Sequence, residues 1–243
     1  MLKAIVRGGL DRTRLVPVRW HRRPTSSWLS SFLKAPVTRV APLEGERGVE
    51  RRASATAALG PLPVWDGYPT SGDLAWSSDE VRTSPALGAL YSRLVMARRP
   101  SVVVEFGTGF GVSGMYWLLG LEAVGRGTLH TFEPNAGWYP LACENLSSVS
   151  HRFVATHGTF EDHVDRVVGG KPIDIAMIDA IHTRDAVMAQ YAMVVERLAA
   201  GGIVVLDDID ASDEMLACWR DLASAPEVRA SARLGTRVGL LEL

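Results

Sequence analysis

Short apolar strands and helices alternate along the chain from about residue 84, and this alternation restricts the fold more than any other feature. Runs rich in β-branched residues, such as "SVVVEFG" and "IDIAMID", are separated by segments whose apolar residues recur at helical spacing. This order is typical of βαβ units, which form a parallel sheet with helices on both faces. We therefore predict an α/β fold with a doubly wound, mostly parallel, seven-stranded sheet.

Both ends of the chain depart from this alternation. The tail "VRASARLGTRVGLLEL" predicts two short strands that form an antiparallel hairpin at the sheet edge. Residues 1–80 are rich in Pro, Ser and Gly and predict an irregular arm with short helices. We predict two parts, a basic N-terminal arm or lid over residues 1–83 and an α/β domain over residues 84–243.

Charge is distributed unevenly between these parts. Residues 1–52 hold 12 Lys/Arg and 4 Asp/Glu, whereas the remainder holds 14 and 23, although the net formal charge is only −1. A basic arm can indicate binding to nucleic acid or anionic lipid. This arm lacks the interleaved aromatic residues of single-strand binders, so we expect no nucleic-acid partner. We expect it to lie across the acidic body of the chain or across a partner subunit, and a homodimer or higher oligomer is left open.

Cysteine content and apolar run length bear on the compartment. Cys143 and Cys218 are the two cysteines, and their spacing fits neither a disulfide framework nor a structural zinc site. No apolar run approaches the roughly 18 to 20 residues that span a bilayer. The sequence therefore predicts a cytoplasmic protein with no membrane partner.

Polar clusters stand where predicted parallel strands end, which is where open sheets of this kind bind ligands. The first strand ends in "VVVEFGTGFG", which places Glu105 and three glycines, Gly107, Gly109 and Gly111, before a helix. Glycines allow a tight turn and bring a ligand close to the backbone and the helix N-terminus. The dinucleotide fingerprint needs a further glycine where Val112 stands, which argues against NAD.

A second acid, Glu133, ends the next strand, where a carboxylate can accept hydrogen bonds from ribose hydroxyls. Glycine loop and acid together resemble the class I methyltransferases that use S-adenosylmethionine. The resemblance covers residues 84–243 and implies a Rossmann-like sheet and a small-molecule substrate. It also implies the following cofactor-binding residues: Glu105, Gly107, Thr108, Gly109, Ser113, Glu133, Thr159 and Phe160. Which residue contacts adenine is left open among Thr159, Phe160 and Glu161.

The stretches "MIDAIH" and "VVLDDID" sharpen this resemblance. With "EFGTGFGVS" and "TFEPN" before them, they look like the metal-dependent O-methyltransferases, and Asp-x-x-His followed by Asp-Asp is similar to the macrolide-sugar group. The resemblance implies that Asp179, Asp207 and Asp208 bind Mg²⁺ or another divalent cation and that His182 is the general base, with Asp179 also at the catalytic centre. Three carboxylates on adjacent strand tips would indeed repel one another unless a cation bridges them. The alternative, purely structural role for His182 is to cap the following helix.

The same resemblance implies that the methyl acceptor is a small molecule. It implies a saccharide or a glycosylated metabolite, and a catechol or phenol is the alternative. A group of aromatic residues predicts an apolar wall over the site: Trp65, Tyr68, Trp76, Trp138 and Tyr139. Two further alternatives are a metal-independent methyltransferase and a regulatory or nucleic-acid-binding module that holds the cofactor.

Overall fold

The computed structural model describes residues 14–69 and 74–243, and a nine-stranded sheet lies at its centre. Residues 1–13 and 70–73, which belong to the predicted arm, lie outside the described residues. The strands are β1 (Leu15–Arg22), β2 (Val37–Arg39), β3 (Leu62–Pro63), β4 (Ala75–Trp76), β5 (Val102–Phe106), β6 (Thr128–Glu133), β7 (Phe153–His157), β8 (Ile173–Ile178), β9 (Leu198–Leu206), β10 (Ala230–Leu234) and β11 (Val238–Glu242). The central sheet has the order β2-β1-β10-β11-β9-β8-β5-β6-β7, and β3 pairs with β4 alone.

Helices cover both faces of the central sheet. They are α1 (Trp28–Phe32), α2 (Glu46–Ala57), α3 (Ser78–Val81), α4 (Pro85–Arg98), α5 (Val112–Val124), α6 (Trp138–Ser147), α7 (Phe160–Val168), α8 (Arg184–Val195) and α9 (Asp213–Ser224). Two buried apolar clusters fill the layers between helices and sheet. Within the described parts of the chain, no helix is both long enough and apolar enough to cross a bilayer.

The parallel centre of the sheet confirms the predicted fold class. Strand β5 pairs in parallel with both β6 and β8, β6 pairs in parallel with β7, and β8 pairs in parallel with β9. All five residues of β5 are buried, as expected for a strand covered on both faces. The carboxyl ends of these strands, and the polar residues that follow them, therefore meet at one edge of the sheet.

The C-terminal hairpin also forms as predicted, but it does not lie at the sheet edge. Strands β10 and β11 are antiparallel, and β11 pairs with β9. Strand β1 then adds to β10 in antiparallel register, with Val18 opposite Leu234, and β2 adds to β1. The seven predicted strands are therefore extended by two from the arm, because the buried Val16 and Val18 of β1 complete the core there.

The arm is more regular than its composition predicts. Its helices α1 and α2 contribute Leu29, Val49 and Ala53 to the same apolar cluster that holds residues of α4 and α5. Its strand β3 is held to the loop after β6, where the Asn135 side-chain amide donates to the Pro63 carbonyl at 2.9 Å. The predicted boundary after residue 83 falls just before α4. Residues before and after this boundary pack into the same apolar cluster.

Glu242 of β11 fastens the arm to the sheet. Its carboxylate oxygens accept hydrogen bonds from the backbone N–H groups of Trp28 at 3.1 Å and Leu29 at 2.7 Å, at the start of α1. We expect Glu242→Ala to lower the free energy of unfolding by about 1 to 3 kcal/mol, because it removes the acceptor of a buried N–H group. Urea unfolding followed by circular dichroism measures this loss. Glu242→Gln keeps one oxygen acceptor and should lose less, and an unchanged midpoint in the alanine variant would contradict the role.

Candidate active site

A cavity of about 470 Å³ opens at the carboxyl ends of the parallel strands. Its lining combines the glycine loop after β5, the acid that ends β6, the residues after β8 and β9, and aromatic side chains from the arm. Of the predicted site residues, those that line it are Gly107, Thr108, Gly109, Ser113, Glu133, Thr159, Phe160, Asp179, His182 and Asp208.

The glycine loop after β5 lies close to the loop after β8. Gly107 has a φ of +82°, and a Cβ atom added there would lie 2.2 Å from the backbone oxygen of Asp179. Only a residue without a side chain fits this approach. Gly109, with a φ of +55°, directs its N–H to an oxygen of Glu133 at 2.7 Å. The loop therefore forms a fixed cradle of backbone groups along one side of the cavity.

Glu133 lies at the cavity wall with both oxygens engaged. One oxygen accepts from Gly109, and the other accepts from the backbone N–H of Asn135 at 2.8 Å. Burial raises the pKa of Glu133 to about 7, although these two hydrogen bonds act in the opposite direction. Each carboxylate oxygen can accept a second hydrogen bond, so Glu133 can still bind ligand hydroxyls.

Glu105, predicted to bind the cofactor, lies beneath the cavity rather than on it. It is completely buried, and it accepts hydrogen bonds from the Trp117 indole at 3.1 Å, the Thr131 hydroxyl at 2.9 Å and the Ser113 side chain. Burial raises the pKa of Glu105 to about 7 against the effect of these donors. Glu105 thus contacts Ser113, at the start of α5, from below, and its role in cofactor binding stays a prediction.

The remaining predicted cofactor residues line the cavity, and their side chains are already engaged in contacts within the protein. The Thr108 hydroxyl is bonded to the Thr131 hydroxyl at 2.5 Å. Thr159 caps α7, since its side chain accepts from the backbone N–H of Asp162 at 3.3 Å. The Phe160 side chain is almost fully buried against Phe106, so this side chain offers the cavity only a ring surface.

Asp179, His182 and Tyr68 form a hydrogen-bonded row inside the cavity. The Nε2 atom of His182 lies 3.2 Å from Oδ1 of Asp179, and its Nδ1 atom lies 3.2 Å from the hydroxyl oxygen of Tyr68. The Thr183 side chain caps α8 by accepting a hydrogen bond from the Ala186 N–H. The alternative prediction that His182 caps this helix is therefore wrong. The arm thus supplies a polar group to the residues after β8.

Burial and charge shift the pKa values of this row. Burial raises the pKa of Asp179, and the charge of Asp207 raises it further. Burial lowers the pKa of His182, but the hydrogen bond to Asp179 and the surrounding carboxylates outweigh it, so the net shift is upward. Burial, together with Asp208 and Asp179, raises the pKa of the Tyr68 hydroxyl, which therefore stays protonated at neutral pH.

Arg237 lies in the turn between β10 and β11 and was missed by the sequence analysis. Its Nε and Nη2 atoms donate to the two carboxylate oxygens of Asp207 at 2.7 and 2.5 Å, and Nε also lies 2.9 Å from Oδ1 of Asp208. This pairing holds the pKa of Asp207 below its usual range in spite of burial. A lone arginine in a predicted hairpin turn gives no sequence signal for such a contact.

The donor atoms do not fit the predicted metal site. Asp207 is almost fully buried and lies behind the cavity wall, with both oxygens held by Arg237. Asp179 is paired with His182, and Asp208 lies beside the guanidinium. In residues 14–69 and 74–243, no group of three His, Cys, Asp or Glu side chains is arranged to hold a metal ion.

Aromatic residues form the predicted wall with one exception. Trp65, Tyr68, Trp76 and Trp138 line the cavity, and Trp138 also stacks on Phe110 at 4.6 Å between ring centroids. Tyr139, by contrast, stacks on His157 at 5.0 Å, so its ring serves packing outside the wall.

Residues 104–209 match the family model described as "Methyltransferase domain". A search of curated proteins finds no match. The matched segment holds the glycine loop, Glu133, Asp179, His182 and the Asp207-Asp208 pair. This segment of the chain is therefore similar to methyltransferase domains.

Solved structures with the same fold are numerous and distant in sequence. The O-methyltransferase TomG from Streptomyces achromogenes, solved with SAM, is 20% identical over 89% of this chain and 94% of its own, with a TM-score of 0.61. Cofactor-bound Rv0187 from MTB is 20% identical over 91% and 98%, with a TM-score of 0.60. The Bacillus cereus O-methyltransferase in complex with SAH is 16% identical over 90% and 99%, with a TM-score of 0.60. These likenesses show the α/β Rossmann-like methyltransferase fold.

The raised pKa of Glu105 predicts a pH dependence of stability. A carboxyl group with an ordinary pKa of 4.5 when unfolded and about 7 when folded stabilises the fold most at low pH. That contribution, roughly 3 kcal/mol for a shift of this size, is lost as the pH rises from 4.5 through 7. We expect Glu105→Gln to flatten the decline, measured by urea unfolding of the ligand-free protein between pH 5 and pH 8. Glu122→Gln, at an exposed carboxylate of α5, is the matched control. An equal slope in the Glu105 variant and the wild type would contradict this origin.

Proposed function

We propose that this chain is an S-adenosylmethionine-dependent O-methyltransferase that methylates a hydroxyl group of a small molecule, with His182 as the general base. The observation that carries the proposal is the row of Tyr68, His182 and Asp179 in the cavity that the glycine loop and Glu133 also line. The methyltransferase domain match over residues 104–209 and the fold shared with O-methyltransferases support it.

The glycine loop and Glu133 are suited to hold the methyl donor. The close approach of Gly107 to the chain after β8 leaves backbone surface, rather than side chains, along the cavity. Glu133 offers carboxylate oxygens to ribose hydroxyls, and Ser113 stands in the first turn of α5, where N–H groups favour an anionic group. When bound, S-adenosylmethionine supplies an electrophilic methyl group.

His182 is placed to remove the acceptor proton. Asp179 can accept from Nε2–H, which leaves Nδ1 without a proton and able to act as a base. Nδ1 faces the Tyr68 hydroxyl on the cavity side. Nδ1 would take the proton of the acceptor hydroxyl as its oxygen receives the methyl group from the bound donor, and Asp179 would hold the resulting imidazolium through Nε2–H.

The acceptor is proposed to be a saccharide or a glycosylated metabolite. Trp65, Trp76 and Trp138 offer flat apolar surfaces on which sugar rings pack, beside the polar row that would receive a hydroxyl. A catechol or phenol is the second candidate, because the same aromatic surfaces suit a planar ring. Magnesium takes no step in this proposal, since Arg237 already holds both oxygens of Asp207. Cytoplasmic location stays a prediction.

Incubation with methyl-labelled S-adenosylmethionine and a panel of acceptors tests the reaction. The panel holds sugars, glycosylated metabolites, their O-methylated forms and catechols. We expect label in the sugar-bearing compounds that carry a free hydroxyl, and none in the forms with that hydroxyl blocked. Donor binding without transfer to any class would instead favour a regulatory or nucleic-acid-binding module.

We expect His182→Ala to lower kcat by a factor of about 10² to 10⁴, because general-base catalysis contributes that much to the rate. The affinity for the donor should stay near the wild-type value. Steady-state rates of label transfer and calorimetric donor titrations measure the two effects separately. His151→Ala, at an exposed histidine, is the control and should match the wild type. Tyr68→Phe, which removes only the hydroxyl that contacts Nδ1, should reduce kcat far less. A His182→Ala enzyme with wild-type kcat would contradict the assigned base.

A further inference from the structure

Arg237 holds the carboxylate pair after β9 from the side of the C-terminal hairpin. Its Nε and Nη2 atoms form a two-point contact with Asp207, whose side chain is 1% exposed. Oδ1 of Asp207 also accepts the backbone N–H of Asp208 at 2.8 Å. A two-point contact between guanidinium and carboxylate is short, directional and strong compared with neutral hydrogen bonds.

The backbone fixes the position of Arg237. Strands β10 and β11 flank it, and its carbonyl accepts the N–H of Ile209 at 2.9 Å, directly after the acidic pair. This bond and the pairing of Gly239 with Leu206 hold the turn to the loop after β9 on both sides of the ion pair. A displacement of the guanidinium would leave the buried Asp207 carboxylate without its cation, which is costly in a site with little solvent.

The same contact excludes a divalent ion from the carboxylates. Mg²⁺ needs oxygen ligands at about 2.0 to 2.1 Å in near-octahedral geometry. Both oxygens of Asp207 point at Arg237, and Nε of Arg237 stands between Asp207 and Asp208. An ion bound by this pair would also lie beside a permanent positive charge, since a guanidinium does not lose its proton in proteins.

We propose that Arg237 replaces the divalent cation at this site, so that the protein binds no metal there. The guanidinium permanently compensates one of the two negative charges of the Asp207-Asp208 pair and keeps the loop after β9 in place beside Asp179 and His182. The part of this inference that concerns turnover rests on the proposed function, whereas the part that concerns metal binding does not.

Titration of the full-length protein with Mn²⁺, followed by electron paramagnetic resonance of the free ion, tests the inference directly. Mn²⁺ accepts the same oxygen ligands as Mg²⁺ and serves as the probe. We expect the wild type to leave the free-ion signal unchanged up to millimolar concentration. Stoichiometric binding to the wild type with a Kd below about 100 μM, lost in Asp208→Asn, would overturn the proposal whatever the variants below show.

Removal of the guanidinium should create the missing site. We expect Arg237→Gln to bind Mn²⁺ with a Kd at least about tenfold below the lower limit that the wild-type titration sets, because the positive charge beside the carboxylates is gone. Asp207→Asn in the Arg237→Gln background should abolish that gain. Arg233→Gln, in the same hairpin but bonded to the Thr236 carbonyl, is the matched control and should bind no better than the wild type. A folded Arg237→Gln protein that gains no Mn²⁺ affinity would also overturn the inference.

Turnover supplies a second and separable readout. With an acceptor identified by the labelling panel, we expect EDTA to leave the wild-type rate within about twofold of the untreated enzyme and Mg²⁺ to add nothing. A tenfold or greater loss in EDTA that Mg²⁺ restores would contradict the replacement. Failure of every acceptor contradicts the proposed function alone, since the Mn²⁺ titrations do not depend on it.

Discussion

Backbone hydrogen bonds that continue past the strand ends hold the candidate active site together. The Asp179 N–H donates to the Phe106 carbonyl at 3.0 Å, and the Asp207 N–H donates to the Ile178 carbonyl at 3.1 Å. Each bond joins the first residue of a loop to the last residue of the neighbouring strand, so the loops after β5, β8 and β9 leave the sheet in one register. The approach is tightest at Gly107, where even a methyl group would overlap the chain after β8. Side chains distant in sequence therefore meet at fixed positions without support from any long loop.

Asp207 and Asp179 at these strand ends pair with different neighbours, and the neighbours shift the pKa values of the two carboxyl groups in opposite directions. Asp207 is buried against a guanidinium, so its pKa falls and it stays ionised. Asp179 is paired with an imidazole, while burial and the charge of Asp207 raise its pKa. An uncompensated charge in such a site would cost several kcal/mol, so each acid needs its particular partner. Two carboxylates with similar sequence contexts thus have pKa values shifted in opposite directions, because one pairs with a guanidinium and the other with an imidazole.

The sequence predicts the central sheet well because strand alternation and buried apolar runs are local signals, as "SVVVEFG" and "IDIAMID" illustrate. It also predicts that Glu133, Asp179 and His182 share one edge of the sheet, since parallel strands place their carboxyl ends together. It does not predict β1 at the core, because Val16 and Val18 lie in a short stretch interrupted by Pro17, and its partner, β10, is more than 200 residues away. Arg237 is missed for the same reason: an arginine in a turn is normally solvated, and only the tertiary structure brings it to Asp207. The burial of Glu105 likewise depends on α5 and on neighbouring strands.

The residues around the cavity divide according to where they stand in the chain. The groups suited to a methyl donor lie within residues 104–209, the segment that matches the domain model. Tyr68 and Trp76, by contrast, come from the arm, which β1, β2 and the contact between Asn135 and Pro63 fasten to the body. In the proposed function, the groups that would hold the donor and those that would contact the acceptor thus come from different stretches of one polypeptide. Because β1, α1 and α2 of the arm share one apolar core with α4 and α5, a chimera with a foreign arm would keep its fold only if the exchanged segment preserved those buried contacts.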